Sequence, residues 1–424
     1  MYGRKESEET LMFGRKKEKQ PIRVDFSHDK LGLYIHIPFC RSKCDYCDFY
    51  SLAGQDGRMK DYQKALLAHL EENARLAVGI PVDTVYIGGG TPSYYGAKRI
   101  CELLAAVKKH FSLEEGAEIT MEANPDSVDV KMLKKLRKAG VNRLSMGMQS
   151  ACPEELKAIH RPHTVGQVDE AVEAARTAGF RNLSLDLIYG LPGQTEESWQ
   201  ASVDHALSLK PEHLSCYGLK VEEGTPLAAR VAAGEVLPDD DTQADLYLWT
   251  VQHLKEAGYP QYEISNFARP GRESRHNMRY WLTQPYLGFG PGAHSDFGGH
   301  RYSIARDLEG YISGVLHGGS FIDSDEQITR RERGGEYLML RLRTVRGVDP
   351  WEYRHDFFMD FGPIEARLKE FSAHGWAEKD PDGRWHFTPE GFLVSNQLIG
   401  DLLDRQEQSD FKVVVRGNRE QSSL

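Results

Sequence analysis

From residue 31 onward, the chain alternates between two patterns of hydrophobic and polar positions. Short segments that are apolar at every position or every second position predict β-strands, and longer segments with apolar residues three or four positions apart predict amphipathic helices. Six strands alternate with helices in this way, which indicates an α/β fold with a parallel sheet. Because six units are fewer than the eight of a closed barrel, we expect an incomplete (β/α)6 barrel that is open on one side. The predicted strands are residues 32–37, a strand that ends at residue 87, and residues 118–123, 143–149, 182–189 and 214–219.

Beyond about residue 325 the pattern changes to helices and one β-hairpin. Residues 332–342 and 363–374 have helical spacing, and Asp382-Gly383 separates two short strand-like segments, which is a hairpin signal. Thr388 and Pro389 are residue types preferred at the N-cap and the first position of a helix. We therefore expect a C-terminal helical domain that is winged-helix-like. The expected regions are a polar tail (1–30), the partial barrel (31–260), a barrel extension (261–325), the C-terminal domain (326–405) and a second tail (406–424).

Charge and composition narrow the classes of function. The net charge of -10 argues against a general nucleic-acid binder, so no nucleic-acid partner is expected. No apolar run approaches the roughly 20 residues that cross a bilayer. The first 30 residues are charged and lack the apolar core of a signal peptide, and their composition favours a solvated, disordered tail that does not support membrane attachment. A cytoplasmic location is expected.

Three cysteines in a C-x3-C-x2-C run, Cys40, Cys44 and Cys47, follow the first predicted strand. Three thiolates on one loop predict an inorganic centre with one coordination position left open. One interpretation is a [4Fe–4S] cluster, and a second is a zinc site completed by His36. A third is a disulfide with a spare thiol, but six cysteines without a secretory signal indicate a reducing compartment. The cluster is the favoured interpretation.

Polar residues and glycines stand where several predicted strands end. Gly88–Gly90 follows one strand, and three glycines allow the backbone to approach a ligand closely or to make a tight turn. Glu122 and Asp186 lie on the polar faces of two later strands, so both carboxylates are expected near the carboxyl-end rim of the barrel. The alternative for each acid is a solvated or helix-capping position.

Taken together, these motifs resemble those of the radical S-adenosylmethionine (radical SAM) superfamily. The cysteine run preceded by Tyr34 resembles its cluster signature, and GGGTPS (88–93) resembles its glycine motif. Further motifs resemble the branch that contains the anaerobic coproporphyrinogen III oxidases and the related HemW heme chaperones. These motifs are MEANPDS (121–127), GMQS (147–150), HRPH (160–163), DLIYGLPGQT (186–195) and CYGLKVEEGTPL (216–227).

The resemblance implies a radical SAM barrel with two cofactors. Cys40, Cys44 and Cys47 would hold a [4Fe–4S] cluster, and SAM would chelate its fourth iron. In the superfamily, one-electron reduction of the cluster cleaves SAM to a 5′-deoxyadenosyl radical. Glycine backbone groups and a threonine suit the amino group of SAM, an arginine suits its carboxylate, and acidic residues suit the ribose hydroxyls. The residues that would contact SAM are Tyr34, Gly89, Gly90, Thr91, Glu122, Gln149, Arg161 and Asp186.

Three features favour the chaperones over the oxidases. The oxidase signature is C-x3-C-x2-C-x-C, whereas here Phe49 stands at the last position, and the oxidase also carries a folded N-terminal extension. The segment HNMRYW (276–281) resembles the H-N-x-x-Y-W motif that is associated with heme, so the resemblance implies that His276 binds heme. A histidine is a natural axial ligand, although His276 and its aromatic neighbours are also compatible with ordinary packing. Other histidines considered as a second ligand are His36, His160, His163 and His294.

The resulting hypothesis is a heme chaperone that binds heme and passes it to acceptor apoproteins, with no catalytic residue assigned. The resemblance is compatible with membrane-associated acceptors and with a homodimer. The alternative is an oxygen-independent coproporphyrinogen III oxidase of porphyrin biosynthesis, and a third hypothesis is methyl transfer to a tetrapyrrole. The remaining cysteines, Cys101, Cys152 and Cys216, are expected to be buried and inert. The glycine-rich tract 286–294 is interpreted either as a structural connector or as a loop that faces the substrate.

Overall fold

The computed structural model describes residues 30–407, so the tails predicted at the two ends lie almost entirely outside the described residues. The strands are β1 (Leu31–Ile37), β2 (Phe39–Cys40), β3 (Leu52–Ala53), β4 (Pro81–Gly89), β5 (Ser112–Ala123), β6 (Arg143–Gln149), β7 (Leu183–Tyr189), β8 (His213–Gly218), β9 (Gln261–Glu263), β10 (Asn266–Ala268), β11 (Tyr286–Phe289), β12 (His294–Phe297), β13 (His300–Ile304), β14 (Ile322–Gln327), β15 (Ala377–Lys379) and β16 (Trp385–Phe387). The helices are α1 (Met59–Asn73), α2 (Pro92–Tyr95), α3 (Ala97–His110), α4 (Val130–Ala139), α5 (Pro153–Ala158), α6 (Val165–Thr177), α7 (Glu196–Ser208), α8 (Pro226–Ala232), α9 (Asp240–Glu256), α10 (Arg275–Trp281), α11 (Leu308–His317), α12 (Arg330–Arg341), α13 (Pro350–Phe357), α14 (Gly362–Ala373), α15 (Pro389–Leu393) and α16 (Ser395–Glu407).

Twelve of these strands form one sheet in the order β14-β13-β12-β11-β1-β4-β5-β6-β7-β8-β10-β9. The six predicted strands are β1 and β4 to β8, and each is parallel to the next. The prediction of an α/β fold with six parallel strand–helix units is therefore confirmed. In the described part of the chain β14 and β9 are the two edges of the sheet, which agrees with a barrel that is open.

The two faces of the parallel strands differ in polarity, because successive residues of a strand point to opposite faces. Ile119 and Met121 on β5 point to the buried apolar face, where helices such as α3 pack. On the other face a polar row crosses the sheet: Glu122 lies opposite Ser145, Ser145 opposite Ser184, and Ser184 opposite His213. This polar face surrounds the site described below.

The region that follows β8 extends the same sheet at both ends. β10 pairs antiparallel with β8, and β11 pairs parallel with β1 on the opposite side. The glycine-rich tract 286–294 contains β11 and the turn after it, and Gly290, with φ of +94°, packs against the Tyr62 hydroxyl and the carbonyl of His36. Its glycines are needed for close packing against β1, which favours the structural-connector interpretation.

The last part of the described chain is helical, as predicted. Helices α12, α13 and α14 precede the antiparallel hairpin β15–β16, and Gly383 in its turn has φ of +86°. Thr388 accepts a hydrogen bond from the backbone of Gly391 and caps α15, which begins at Pro389. Among the sixteen helices of the described residues, none is both long enough and apolar enough to cross a membrane. The division into domains and the cytoplasmic location stay predictions.

Candidate functional site

A cavity of about 470 Å³ opens at the carboxyl ends of the parallel strands, on the polar face of the sheet. Its volume lies in the range of ~300–1,000 Å³ that small-molecule sites occupy. The structure brings ten of the twelve predicted site residues to this cavity, although they come from six separate segments of the chain. They are Cys40, Cys44, Cys47, Gly89, Gly90, Thr91, Glu122, Gln149, Arg161 and Asp186.

The three cysteines lie between β1 and β3, with Cys40 at the end of β2 and the other two on the loop that follows, and each sulfur has a side-chain partner. Thr91 Oγ1 donates a hydrogen bond to Cys40 Sγ at 3.3 Å, and Arg161 Nη1 donates to Cys44 Sγ at 3.3 Å. Cys47 Sγ lies 3.8 Å from Ser51 Oγ. Donors around a sulfur stabilise the thiolate form, which is the form that binds iron.

The protonation state of the cysteines depends on burial and on these donors. Burial raises the pKa of Cys40 and of Cys47, and the hydrogen bond from Thr91 opposes the rise at Cys40. All six cysteines are unpaired, so the disulfide alternative is not realised in the structure. Buried thiols that already have hydrogen-bond donors suit a metal that removes the remaining protons when it binds.

The zinc alternative would require His36 as a fourth ligand, and His36 is already engaged. Its Nδ1 lies 2.9 Å from the hydroxyl of Tyr34, and its Nε2 lies 2.8 Å from the carbonyl of Tyr50. Burial lowers the pKa of His36 to about 4, so the ring is neutral. His36 therefore connects β1 to the end of the cysteine loop, and both of its nitrogens have partners.

Arg161 makes hydrogen bonds with three separate segments that line the cavity. Besides Cys44, it donates from Nη2 to the carbonyl of Gly147 at 2.9 Å and to Asn124 Oδ1 at 3.0 Å. Its Nε is buried and has no hydrogen-bond partner in the described part of the chain. The arginine thus stabilises the cysteine loop and keeps one donor for a ligand in the cavity.

The glycine motif brings β4 against the cysteine loop. The amide of Gly90 donates to the carbonyl of Ile37 at 2.8 Å, and a Cβ on Gly90 would lie 2.8 Å from that oxygen. Gly89 has φ of +110°, and a Cβ there would overlap the ring of His36. Only glycine fits these two positions, so the backbone of the motif lines the cavity directly.

Glu122 and Asp186 occupy the polar floor of the cavity. Glu122 accepts hydrogen bonds from the Tyr86 hydroxyl at 2.7 Å and from the amide of Gly89 at 3.0 Å. Burial raises the pKa of Glu122 to about 7. Asp186 accepts from Ser145 at 3.2 Å and from Ser184 at 3.1 Å, and burial raises its pKa as well. Both carboxyl groups can accept hydrogen bonds from ligand hydroxyls.

Gln149 reaches the cavity because of an unusual backbone conformation. It has φ of +64°, which is rare for a residue other than glycine, and it lies at the carboxyl end of β6. Its side chain is buried and lines the cavity. Residues held in such conformations cluster at ligand sites, where the backbone orients a side chain.

Two predicted site residues, Tyr34 and His276, do not line this cavity. Tyr34 lies beneath it, where its hydroxyl contacts His36 and its ring stacks on Tyr86. The structure thus places Tyr34 one layer away from the predicted SAM contacts.

His276 is fully buried on α10, and both of its ring nitrogens have partners. Nδ1 lies 2.9 Å from Thr84 Oγ1, and Nε2 lies 2.8 Å from the Tyr280 hydroxyl. The ring also stacks on Tyr86, and burial lowers its pKa to about 3. In this conformation His276 belongs to the packed interior, so direct heme ligation by it would require these contacts to open; that role stays a prediction.

Other cavity residues were not predicted from the sequence. Arg143, at the start of β6, is 1% exposed, and its Nε and Nη1 have no hydrogen-bond partner among the described residues. Its positive charge lowers the pKa of both Glu122 and Asp186, against the larger effect of burial. The available signal was the alternation Arg143, Ser145, Gly147, which places all three on the same strand face. Tyr46, inside the cysteine run, also lines the cavity.

Of the remaining cysteines, only Cys216 is fully buried, and Cys101 and Cys152 are half-buried. The prediction that all three are buried is therefore wrong for two of them, because each lies on or next to a surface helix, α3 and α5. Within residues 30–407, no three His, Cys, Asp or Glu side chains are arranged to hold a single metal ion.

The residues present fit a cluster and a nucleoside-containing ligand. Three thiols with hydrogen-bond partners line the cavity, and Arg161, whose Nε has no partner among the described residues, lines it together with the two acids. This donor set matches a three-cysteine cluster together with a ligand that carries a carboxylate and hydroxyl groups.

Comparisons with known proteins agree with this site. The model of the Radical SAM superfamily matches residues 34–206. The heme chaperone HemW of Mycobacterium tuberculosis (strain H37Rv) is 40% identical over 378 residues, which are 88% of this chain and 94% of the relative. The heme chaperone HemW of Escherichia coli (strain K12) is 36% identical over 371 residues, 87% of this chain and 97% of the relative.

The solved structure of coproporphyrinogen III oxidase (HemN) from Escherichia coli, described as a radical SAM enzyme, has the same overall fold. It superposes with a TM-score of 0.78 at 26% identity, and the match covers 89% of this chain and 90% of the oxidase.

Proposed function

Because the chain belongs to the radical SAM superfamily and, within it, to the HemW heme chaperone family, we propose that it binds heme and delivers it to acceptor apoproteins. It carries a [4Fe–4S] cluster and SAM, as the superfamily does. The proposal includes acceptors that are membrane-associated and a homodimer as the assembled form.

The observation that carries the proposal is Phe49. It stands where the oxidase signature has a further cysteine, and its side chain is 68% exposed at the edge of the cavity. A phenyl ring cannot replace a thiol in redox or ligand chemistry, whereas an exposed aromatic ring suits contact with a partner protein.

The residues of the cavity are proposed to hold the two cofactors. Cys40, Cys44 and Cys47 bind the cluster, while Thr91 and Arg161 donate hydrogen bonds to two of the sulfurs. When bound, the cluster and SAM supply one-electron chemistry.

The remaining polar groups are proposed to bind and orient SAM. The free Nε of Arg161 pairs with its carboxylate, and the carboxyl groups of Glu122 and Asp186 accept from its hydroxyls. Gly89 and Gly90 keep side chains out of the space that SAM fills.

The second candidate function is the oxidase, which the superposition on the solved oxidase favours. The two functions are separated by turnover with coproporphyrinogen III. The protein is purified anaerobically, its cluster is reconstituted, and SAM, a reductant and coproporphyrinogen III are added. The chaperone predicts that coproporphyrinogen is recovered unchanged, and formation of protoporphyrinogen would establish the oxidase instead.

The same preparation tests delivery. Heme-loaded protein is mixed with a purified heme-free cytochrome, and the heme of each species is followed by absorbance after separation. The proposal predicts transfer that is faster than the release of heme to a non-specific scavenger such as apomyoglobin. Equal rates to the two acceptors would mean passive dissociation and would contradict a delivery function.

A further inference from the structure

A second cavity, of about 800 Å³, lies on the outer side of the cysteine loop. One wall is Ser42, Lys43 and Asp45 of the loop, and the other is the segment from Pro153 to Gly166, which includes α5 and the start of α6. Ser42, Lys43 and Arg161 line both this cavity and the one described above, so the two cavities lie on either side of these residues.

His160 lies at the edge of the second cavity. One of its ring nitrogens makes a hydrogen bond within the described residues, and the other does not. Its Nδ1 lies 2.6 Å from Asp45 Oδ2, and since a carboxylate can only accept, Nδ1 carries the proton. In the described residues no hydrogen bond reaches Nε2, and the side chain is 68% exposed. A histidine that donates from one nitrogen to a carboxylate and leaves the other free is the arrangement found in metal-ligating histidines.

Asp45 is itself held rigidly, so the orientation of His160 is set by the fold. It is 8% exposed, and its Oδ2 also accepts from Arg230 Nη1 at 2.7 Å. Its amide donates to the carbonyl of Ile159, and its carbonyl accepts from the amide of Leu227. These contacts connect the cysteine loop, the residue before His160 and α8.

The inner wall of the cavity contains a second histidine with an unused nitrogen. His163 is 3% exposed, and its Nε2 lies 3.1 Å from the carbonyl of Met148, to which it donates. Its Nδ1 is buried and has no partner in the described part of the chain. Burial lowers the pKa of His163 to about 4, so the ring is neutral and Nδ1 carries a lone pair.

The rest of the lining combines apolar surface with positive charge. Pro153, Leu156, Pro162 and Val165 provide the apolar part. Lys43 and Lys157 add two exposed ammonium groups at the edge. Apolar walls, a histidine and cations at the edge are complementary to a flat, apolar metal macrocycle that carries carboxylates.

We propose that this second cavity is the heme site and that His160 Nε2 is an axial ligand of the heme iron. The proposal rests on the proposed function, since it names where the heme is held. Lys43 and Lys157 pair with the propionates, and the apolar residues contact the macrocycle. Asp45 acts as a positioning residue that orients His160 and increases its basicity.

The proposed heme site lies next to the cysteines that bind the cluster. Asp45 follows Cys44 directly, and Arg161 donates to Cys44 Sγ while it lines the heme cavity. The cysteine loop is therefore a shared wall, and loss of the cluster is expected to weaken heme binding by loosening that wall.

The test is a titration of the full chain, with its cluster reconstituted, with hemin under anaerobic conditions. The variants are His160→Ala and, as a matched control, His355→Ala. His355 is also an exposed histidine, 64% exposed, whose Nδ1 contacts an aspartate, Asp356, and it lies far away on α13. We expect His160→Ala to weaken heme binding by about 10- to 100-fold and to lose the absorbance and resonance Raman signature of a histidine-ligated heme. Added imidazole should restore that signature, and His355→Ala should match the wild type.

The titration distinguishes a wrong assignment of the heme ligand from a wrong function. If the wild type binds heme and His160→Ala binds it with the same affinity and spectrum, the assignment of His160 is wrong and the proposed function stands. If the wild type binds no heme, the proposed function itself fails. The cluster absorbance of each variant shows that the cysteine loop is intact.

A second variant tests the positioning role of Asp45. Asp45→Asn keeps the size of the side chain but removes the charge that faces His160. We expect a weaker iron–histidine bond, seen as a lower iron–histidine stretching frequency, and heme affinity reduced by about 10-fold. An unchanged stretching frequency would contradict the positioning role.

Discussion

Arg161 Nη1 donates a hydrogen bond to Cys44 Sγ at 3.3 Å, although 117 residues separate them in the sequence. The same guanidinium also contacts Gly147 and Asn124, so the cysteine loop is attached to the ends of β5 and β6. The cysteine loop and the residues that line the first cavity are therefore directly connected, and a substitution in one is expected to affect the other.

Arg161→Ala is predicted to shorten the lifetime of the cluster. The variant loses a charged hydrogen bond to a cluster sulfur, and such bonds contribute about 1.5–3 kcal/mol. We expect iron loss to an added chelator to be at least about 10-fold faster, followed by the decay of the visible absorbance of the cluster. Arg176→Ala is the control, because Arg176 is also partly buried and makes several hydrogen bonds, but with Glu212 and Lys210 away from the cavity. Equal decay in the two variants would show that the contact with Cys44 has no stabilising role.

Glu122 is predicted to make stability depend on pH. Its pKa is about 7 in the folded chain because of burial, against 4.5 for the unfolded reference. Between these values the folded protein binds more protons than the unfolded chain, so the free energy of unfolding falls as pH rises from about 4.5 to 7. The shift corresponds to about 3 kcal/mol across that interval.

Glu122→Gln removes this titration, so its free energy of unfolding should fall less over the same pH interval. The measurement is chemical denaturation of the cluster-free protein at several pH values. Glu71→Gln, at an exposed position on α1, is the control and should keep the wild-type slope. A slope that is unchanged in Glu122→Gln would mean that Glu122 titrates near its ordinary pKa.

Arg143→Met is predicted to weaken SAM binding. Arg143 supplies the positive charge that opposes the burial-induced rise in the pKa of Glu122 and Asp186. Without it both carboxyl groups hold their protons to higher pH, and we expect SAM affinity near pH 7 to fall by about 10-fold, measured by calorimetry. Arg341→Met is a matched control, since Arg341 is also buried with Nε and Nη1 unpartnered, but lies on α12. A loss of SAM affinity of equal size in both variants would indicate a general effect of removing a buried charge.

His276→Ala is predicted to destabilise the fold. The change removes contacts with Thr84 and Tyr280 and the stacking on Tyr86, and it leaves a cavity beneath the cofactor site. We expect the free energy of unfolding to fall by about 2–4 kcal/mol, measured by denaturant titration. His253→Ala, at a half-exposed histidine of α9, should cost less than about 1 kcal/mol. Unchanged stability of His276→Ala combined with complete loss of heme would instead favour the role as a direct heme ligand.

The parallel strands could be predicted because alternation along a strand reports which face is buried. β6 was predicted with its observed bounds, and the other strands differ mainly at their ends, where loops and strands have similar composition. The resemblance to a family identified ten residues that do line the cavity. The resemblance could not indicate which side chains reach the cavity surface. Tyr34 and Tyr86 lie on adjacent strands, yet only Tyr86 lines the cavity.

Hydrogen bonds between residues far apart in the sequence could not be predicted either. His276 has a partner in Thr84, 192 residues earlier, and no local pattern indicates that its ring is already satisfied. The sequence does not identify Arg143 as a site residue, because a single arginine at the start of a strand is common on surfaces and only the assembled sheet places it inside. The contact between His160 and Asp45, 115 residues apart, is of the same kind.

The most direct test of the account is an anaerobic hemin titration of the cluster-loaded protein, followed by absorbance and compared with the same titration of a Cys40→Ala, Cys44→Ala, Cys47→Ala variant. The account predicts saturable binding of one heme per chain, with the spectrum of a histidine-ligated iron, and weaker binding when the cluster is absent. Absence of saturable heme binding by the wild type, together with conversion of coproporphyrinogen III in the presence of SAM and a reductant, would contradict it.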